Sequence, residues 1–131
     1  MDKMKRYQIV IIAFLLLMQF NAFAQPCLNG WKYRSELSIA NSNNDTLLAH
    51  QVKYVVNTQD LVIASKAEID GSDLRITNAG GAQLPFWFDP ITFNTTSTEI
   101  WINVDSIFPA PIFTNLYLFY GNSGVSPAYN A

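Results

Sequence analysis

The sequence predicts an all-β fold, a single antiparallel β-sandwich or jelly-roll-like domain with one short helix, preceded by a cleaved signal peptide. Two observations support this prediction. In several short segments, apolar and polar side chains alternate at a period of two, which puts one set of side chains on each face of a strand. All the glycines fall between those segments, where turns are expected: Gly30, Gly71, Gly80, Gly81, Gly121 and Gly124.

Two strands and a helix are predicted in the first half of the chain. In WKYRSELSIA, residues 31–40, apolar side chains alternate with charged and polar ones. The polar loop NSNNDT, residues 41–46, leads to the second alternating segment, HQVKYVVN, at 50–57. The next segment, 58–67, does not alternate, and Thr58 is a suitable cap for a helix of one or two turns.

The second half predicts turns that separate four further strands. In DGSDLRIT, residues 70–77, Asp70-Gly71 is a turn dipeptide, because glycine accepts a positive φ without a Cβ clash, and a strand follows it. A second turn, at 78–83, precedes an alternating segment whose Pro85 favours an edge position. EIWINV (99–104) and the alternating part of NLYLFYGN (115–122), residues 116–120, are the last two predicted strands.

The N-terminal segment has the pattern of a secretory signal peptide over residues 1–24. A basic start is followed by an apolar stretch at 7–20, and the small residues Ala22 and Ala24 predict cleavage between Ala24 and Gln25. The stretch is shorter than the roughly 20 residues that a spanning helix needs. We therefore expect a secreted or cell-surface protein, without stable membrane insertion after cleavage. Residues 25–29 are predicted to be a loose N-terminus, 30–126 the domain and 127–131 a tail.

Charge and cysteine content narrow the classes of partner. After the predicted cleavage the chain keeps five Lys and Arg against nine Asp and Glu, a formal charge of −4. Nucleic acid is not an expected partner, because binding to it needs a basic surface. Cys27 is the only cysteine, so it cannot form an internal disulfide. We interpret it as a tolerated residue near the N-terminus, with a disulfide to another chain as the alternative.

Five phrases in order carry a family resemblance: GWKYR (30–34), DGSDLRIT (70–77), LPFW (84–87), IWINV (100–104) and LYLFYGN (116–122). Together they resemble the bacterial family called domain of unknown function 2341 (DUF2341), over about residues 30–126. The resemblance implies a secreted β-sandwich module, often beside a lectin-like or adhesion domain, and it implies no catalytic residues. Relatives usually continue into another domain, so we expect either a lone module or a truncated piece whose residues 127–131 begin a linker.

DGSDLRIT also raises the question of a calcium site. Asp70 and Asp73 do not have the spacing of an EF-hand loop. We expect Asp70 to start the turn, and Asp73 to bond local backbone or to pair with Arg75. A structural calcium ion on the rim of the sandwich stays open as an alternative, and no other cofactor is expected.

The sequence does not favour an enzyme. His50 is the only histidine, so neither a zinc cluster nor a base for a nucleophilic serine is indicated. A pair of hydrolytic carboxylates would require spatial neighbours that the sequence does not define.

The aromatic residues suggest a ligand surface. Trp87, Trp101, Tyr117 and Phe119 have the opposite parity to the apolar residues beside them, so their strands are apolar on both faces. Something must cover the second face: the helix and loops, a partner domain or a ligand. The candidate ligand-binding residues are Trp87, Trp101, Tyr117, Asp70, Asp73 and Arg75, and packing within the domain is the simpler alternative.

Three functions follow as hypotheses. The first is a non-catalytic extracellular or cell-surface binding or adhesion module, with polysaccharide as the candidate ligand; it predicts that Trp87 or Trp101 is exposed near Asp or Asn side chains. The second is a structural spacer that supports an adjacent lectin-like or catalytic domain, which predicts buried tryptophans and no concave site. The third is a glycan-acting enzyme, which predicts a cleft where two acids face each other.

Overall fold

The computed structural model describes residues 25–129, which form two three-stranded antiparallel sheets and one short helix. The first sheet contains β1 (Tyr33–Ala40), β6 (Phe113–Tyr120) and β3 (Arg75–Asn78), in that order. The second contains β2 (Leu47–Val56), β5 (Thr98–Ile107) and β4 (Phe86–Trp87). The helix α1 (Thr58–Ile63) follows β2. The predicted all-β sandwich is confirmed; the predicted signal peptide, residues 1–24, lies outside the described residues.

One core lies between the two sheets. On β5 the inward side chains Ile100, Ile102 and Val104 are buried, while Glu99 and Asn103 on the other face are exposed. Leu116 and Leu118 of β6 belong to the same core cluster. Burying a side chain of this size contributes about 1.5–3 kcal/mol, so the alternation read from the sequence defines the layer that holds the two sheets together.

The outer face of the β6 sheet is covered by the chain's own N-terminal arm, residues 25–31. Arg34 lies at the centre of this contact, since its guanidinium donates to the carbonyl oxygen of Pro26 at 2.6 Å and to Gln25 Oε1, and its Cζ lies 5.6 Å from the centre of the Tyr117 ring. Tyr117 and Phe119 are consequently buried. The segment 25–29, expected to be loose, therefore contacts the sheet.

The C-terminal residues also pack on the domain. The Tyr129 ring lies 4.2 Å from the Phe88 ring, centre to centre, and Ala128 and Tyr129 pack against the core. Arg75 Nη2 donates to the carbonyl oxygen of Ser126 at 2.7 Å. Two residues of the predicted tail 127–131, Ala128 and Tyr129, therefore contact the core. Within residues 25–129, no helix has the length and apolar composition needed to cross a membrane.

Candidate functional site

Two tryptophans lie side by side on the outer face of the β5 sheet. Trp87 of β4 and Trp101 of β5 are register partners, and Lys53 of β2 is the partner of Trp101 on its other side. Neighbouring strands are about 4.8 Å apart, so the three residues form a row across the sheet. Trp87 is 46% exposed and Trp101 is half-buried.

The loop between β4 and β5 turns this row into a cleft. It adds Asp89, Thr92 and Ser97, and with Trp87, Glu99 and Trp101 they line a concave volume of about 360 Å³. We call this set of six residues the tryptophan cleft. Two indole rings lie there beside two carboxylates and two hydroxyls, a combination of apolar surface and a few polar groups that is typical of ligand sites.

Buried hydroxyl groups support the loop from beneath. Thr58, at the start of α1, is fully buried, and its Oγ1 lies 2.7 Å from Thr98 Oγ1 and accepts a 3.0 Å hydrogen bond from the backbone N–H of Asn94. The Thr98 hydroxyl also donates to the carbonyl oxygen of Thr92 at 3.2 Å. Since both hydroxyls are out of solvent, these bonds fix the loop that carries Asp89, Thr92 and Ser97.

Local bonds position the Asp89 side chain. Asp89 Oδ1 accepts a 3.0 Å hydrogen bond from the backbone N–H of Ile91, and the Asp89 carbonyl oxygen accepts from Thr92 Oγ1 at 2.8 Å. This is the side-chain-to-backbone turn that aspartate favours. Such a turn leaves Asp89 Oδ2 available to a ligand hydroxyl.

An ion pair borders the cleft beside Trp101. Lys53 Nζ lies 3.0 Å from Glu99 Oε1 and 5.6 Å from the centre of the Trp101 ring, and both charged side chains are about half exposed. Exposed pairs of this kind add little to stability. Their effect is local. The Lys53 ammonium group lies over the Trp101 indole, and the Glu99 and Asp89 carboxylates lie at the edges of the cleft.

The structure places Asp70 in a turn, away from the tryptophan cleft. Asp70 Oδ1 accepts a 3.0 Å hydrogen bond from the backbone N–H of Ser72, and this bond lowers the pKa of the Asp70 carboxyl. Gly71, with a φ of +70°, completes the turn. Among residues 25–129, no three His, Cys, Asp or Glu side chains lie together as a metal site would require.

Asp73 holds two distant parts of the chain. Its carboxylate is fully buried and accepts hydrogen bonds from the backbone N–H groups of Glu68 at 3.0 Å and Gly121 at 2.7 Å. Its carbonyl oxygen accepts from the Trp31 indole N–H at 2.5 Å.

Arg75 belongs to the same region as Asp73. Its Nη1 donates to the carbonyl oxygens of Ser72 at 2.9 Å and Leu74 at 2.7 Å, and its Cζ lies 5.1 Å from the centre of the Trp31 ring. Burial lowers the pKa of Arg75, and the Asp73 charge opposes that shift. Arg75, Asp73 and the buried Tyr117 thus lie with the β6 sheet, and Trp87 and Trp101 with the β5 sheet.

A second, more apolar cleft of about 400 Å³ lies at one end of the sandwich. Its exposed apolar residues are Phe108, Ile112 and Phe113, and Asn78 and Gly80 form part of its border. Charged groups are scarce here, since Asp105 is the one charged residue in its lining. This apolar cleft therefore suits an apolar protein surface better than a ligand rich in hydroxyls.

Residues 70–131 match the model of the family described as "Domain of unknown function (DUF2341)". Over these 62 of its 131 residues the chain is similar to DUF2341. The matched region contains β3 to β6 and every residue of the tryptophan cleft, whereas β1 and β2 precede it. No curated protein and no solved structure matches the chain. The DUF2341 description assigns no activity, so the function is argued from the cleft.

Sequence reasoning singled out both tryptophans of the cleft but none of its polar residues. Asp89, Thr92 and Ser97 come from a stretch, 89–98, that does not alternate, and Glu99 begins the alternating segment EIWINV. The available signal was composition, because DPITFNTTST is rich in side chains that make local turns.

Proposed function

We propose that this protein is a non-catalytic extracellular or cell-surface module that binds polysaccharide at the tryptophan cleft. The observation that supports the proposal is the exposure of Trp87 at 46% beside Trp101 and two carboxylates, in a concave site. A ligand that stacks on the exposed indole of Trp87 would remove this apolar surface from water. The export on which the location depends rests on the sequence pattern of residues 1–24.

The chemistry of the cleft suits a sugar. A pyranose ring presents an apolar face of axial C–H groups, which stacks on an indole, and equatorial hydroxyls at its edges. The carboxylates of Asp89 and Glu99 can accept hydrogen bonds from those hydroxyls. The Ser97 hydroxyl can donate or accept, and the Thr92 hydroxyl, whose hydrogen goes to the Asp89 carbonyl oxygen, can accept. Trp87 offers its exposed indole for stacking, and the half-buried Trp101, with Lys53 over its ring, extends the apolar surface beside it.

A hydrolytic role has less support, although two acids line the cleft. Glu99 is bonded to Lys53 at 3.0 Å in partly exposed surroundings, and Asp89 Oδ1 is bonded to backbone. The acid of a glycosidase is normally held in apolar surroundings that keep it protonated. The arrangement therefore favours binding over bond cleavage.

The apolar cleft gives a specific reason to keep the spacer as the second candidate function. Phe108, Ile112 and Phe113 are exposed there. Exposed apolar residues grouped in this way mark contact surfaces for other proteins. A neighbouring domain of a surface protein seated on them would make this module a support, with or without a glycan at the tryptophan cleft.

Glycan-array binding tests the proposal, with Trp87→Ala, Trp101→Ala and Phe113→Ala variants measured in parallel. Phe113 is an exposed aromatic outside the tryptophan cleft, which makes its variant a matched control. We expect the wild-type protein and Phe113→Ala to bind the same glycan, and each tryptophan variant to bind it about tenfold more weakly or worse. Absence of binding across the array, or binding that survives both tryptophan substitutions, would overturn the proposal. Unchanged circular dichroism establishes that each variant is folded.

A further inference from the structure

We infer that the tryptophan cleft selects uncharged glycans over anionic ones, and that Glu99 and Asp89 make this selection by repelling a negatively charged ligand. The inference rests on the proposed glycan-binding function and adds the class of ligand. It comes from the positions of three charged groups around one aromatic row.

Anionic glycans meet two carboxylates in this site. Glu99 and Asp89 both line the cleft, and Glu99 is a half-exposed side chain. A uronate or sulfate group of a sugar stacked on Trp87 would approach these like charges. Lys53 is the neighbouring cation, but its Nζ is already paired with Glu99 Oε1 at 3.0 Å. Like charges brought together at a binding surface strongly disfavour the wrong partner.

An uncharged glycan meets no such repulsion and can use the polar groups in place. Lys53 can donate to a ring or glycosidic oxygen without leaving Glu99, because an ammonium group has three N–H donors. Asp89 Oδ2 and the Glu99 carboxylate can accept from hydroxyls. The ion pair thereby acts as a fixed polar border for the stacked sugar.

Matched glycan pairs test the inference, because each pair differs in charge on one backbone. The probes are methyl-esterified polygalacturonate against polygalacturonate. If the glycan array finds another neutral glycan, its form oxidised at C6 provides a second pair. Where the protein binds the neutral member of a pair, we expect it to bind that member at least about fivefold more tightly than the charged member. The difference should shrink in 1 M NaCl, where screening shortens the Debye length to about 3 Å.

Charge variants test which groups cause the exclusion. Asp89→Asn with Glu99→Gln should raise the affinity for the carboxylated probe several-fold. The amide at position 89 keeps an oxygen for the Ile91 N–H, so the loop should hold its shape.

The outcomes distinguish this inference from the proposed function. A charged probe that binds as tightly as its neutral partner, and loses binding on Trp87→Ala, overturns charge selection and leaves glycan binding intact. Selectivity that persists in the charge variants also overturns it, because other groups would then be responsible. Absence of binding to every glycan overturns the proposed function and this inference with it.

Discussion

The buried carboxylate of Asp73 accepts a 2.7 Å hydrogen bond from the backbone N–H of Gly121, which lies 48 residues later in the chain. The other oxygen of the same carboxylate accepts from the Glu68 N–H at 3.0 Å. One side chain thus joins the turn before β3 to the end of β6. The LYLFYGN phrase and the DGSDLRIT phrase, far apart in the sequence, meet at this carboxylate.

Asp73→Ala should be strongly destabilising, because it leaves two backbone donors without their acceptor in a site that excludes water. We expect the free energy of unfolding in urea to fall by about 2–4 kcal/mol. Asp105→Ala removes an exposed carboxylate and should change the free energy of unfolding by less than about 0.5 kcal/mol. Equal effects of the two substitutions would contradict the assigned role of Asp73.

The sequence predicted the two sheets of this fold better than it predicted the segments that cover their outer faces. Period-two alternation identified the inward side chains of β5 and β6 and the outward tryptophans, because pleating alone decides which face a residue takes. It did not distinguish Tyr117, buried under the N-terminal arm, from Trp87, which is exposed. That difference depends on the N-terminal arm, which is held on the sheet by the hydrogen bond from Arg34 to the Pro26 carbonyl oxygen. The period-two pattern does not predict this bond.

The same limit applies to the candidate site. Asp73 was predicted to bond backbone or Arg75, and its bond to Gly121 could not be read locally because it closes a loop of 48 residues. The polar side chains of the tryptophan cleft depend on the loop 89–97, whose shape is set by the Thr58 and Thr98 hydroxyls. Composition indicates that such a loop turns, but it does not indicate the side of the sheet on which it lies.

Gly71→Ala should destabilise the protein through two separable effects. Gly71 has a φ of +70°, and a Cβ there would lie 2.6 Å from Phe88 Cζ and 3.0 Å from Phe93 Cε2. The left-handed conformation costs about 1 kcal/mol for alanine, and forcing the core rings apart typically adds about 1–3 kcal/mol. Gly124→Ala is the matched control, because its φ is +81° and a Cβ would meet nothing within 4 Å. If urea unfolding shows equal losses for both variants, the contact with the rings does not matter.

Asp70 should make stability fall in acid. Its pKa is lowered in the folded state, chiefly by the Ser72 N–H, so the stabilisation is present above the ordinary value of 3.8 and is lost as the pH falls through the folded pKa. The effect should be below about 1 kcal/mol, because the carboxylate is largely exposed and screened.

Asp70→Asn is the matched variant, because it keeps an oxygen for the Ser72 N–H but cannot titrate. Comparing unfolding free energies at pH 6 and pH 3 should therefore show a smaller acid loss for this variant than for the wild-type protein. An identical loss in both proteins would mean that Asp70 does not contribute.

Thr58→Val should weaken both the fold and the tryptophan cleft. The substitution keeps the shape of the side chain, but it removes the 2.7 Å bond to Thr98 and the acceptor of the Asn94 N–H. We expect a loss of about 1–2 kcal/mol in the free energy of unfolding, together with weaker binding of any glycan that the cleft takes. Thr58→Ser keeps the hydroxyl and should retain more of both properties than valine. If serine performs no better than valine, the hydroxyl bonds are not what positions the loop.

Fluorescence quenching can test the exposure of the tryptophan cleft without a known ligand. Three tryptophans contribute to the emission; among them Trp87 is exposed, whereas Trp31 and Trp101 are half-buried. Trp87→Phe should therefore remove the largest share of the quenching by acrylamide, which is neutral and reports access alone. Trp31→Phe is the control, and it should leave that share in place.

Ionic quenchers then report the field around Trp87. Because Asp89 and Glu99 lie beside it and only Lys53 offsets them, iodide should quench the Trp87 component less than caesium does, after each is normalised to a free tryptophan derivative. The bias should fall in the Asp89→Asn, Glu99→Gln double variant and on adding salt. Quenching by acrylamide that is insensitive to Trp87→Phe would show that the indole is covered in solution, and a covered indole is what the spacer function requires.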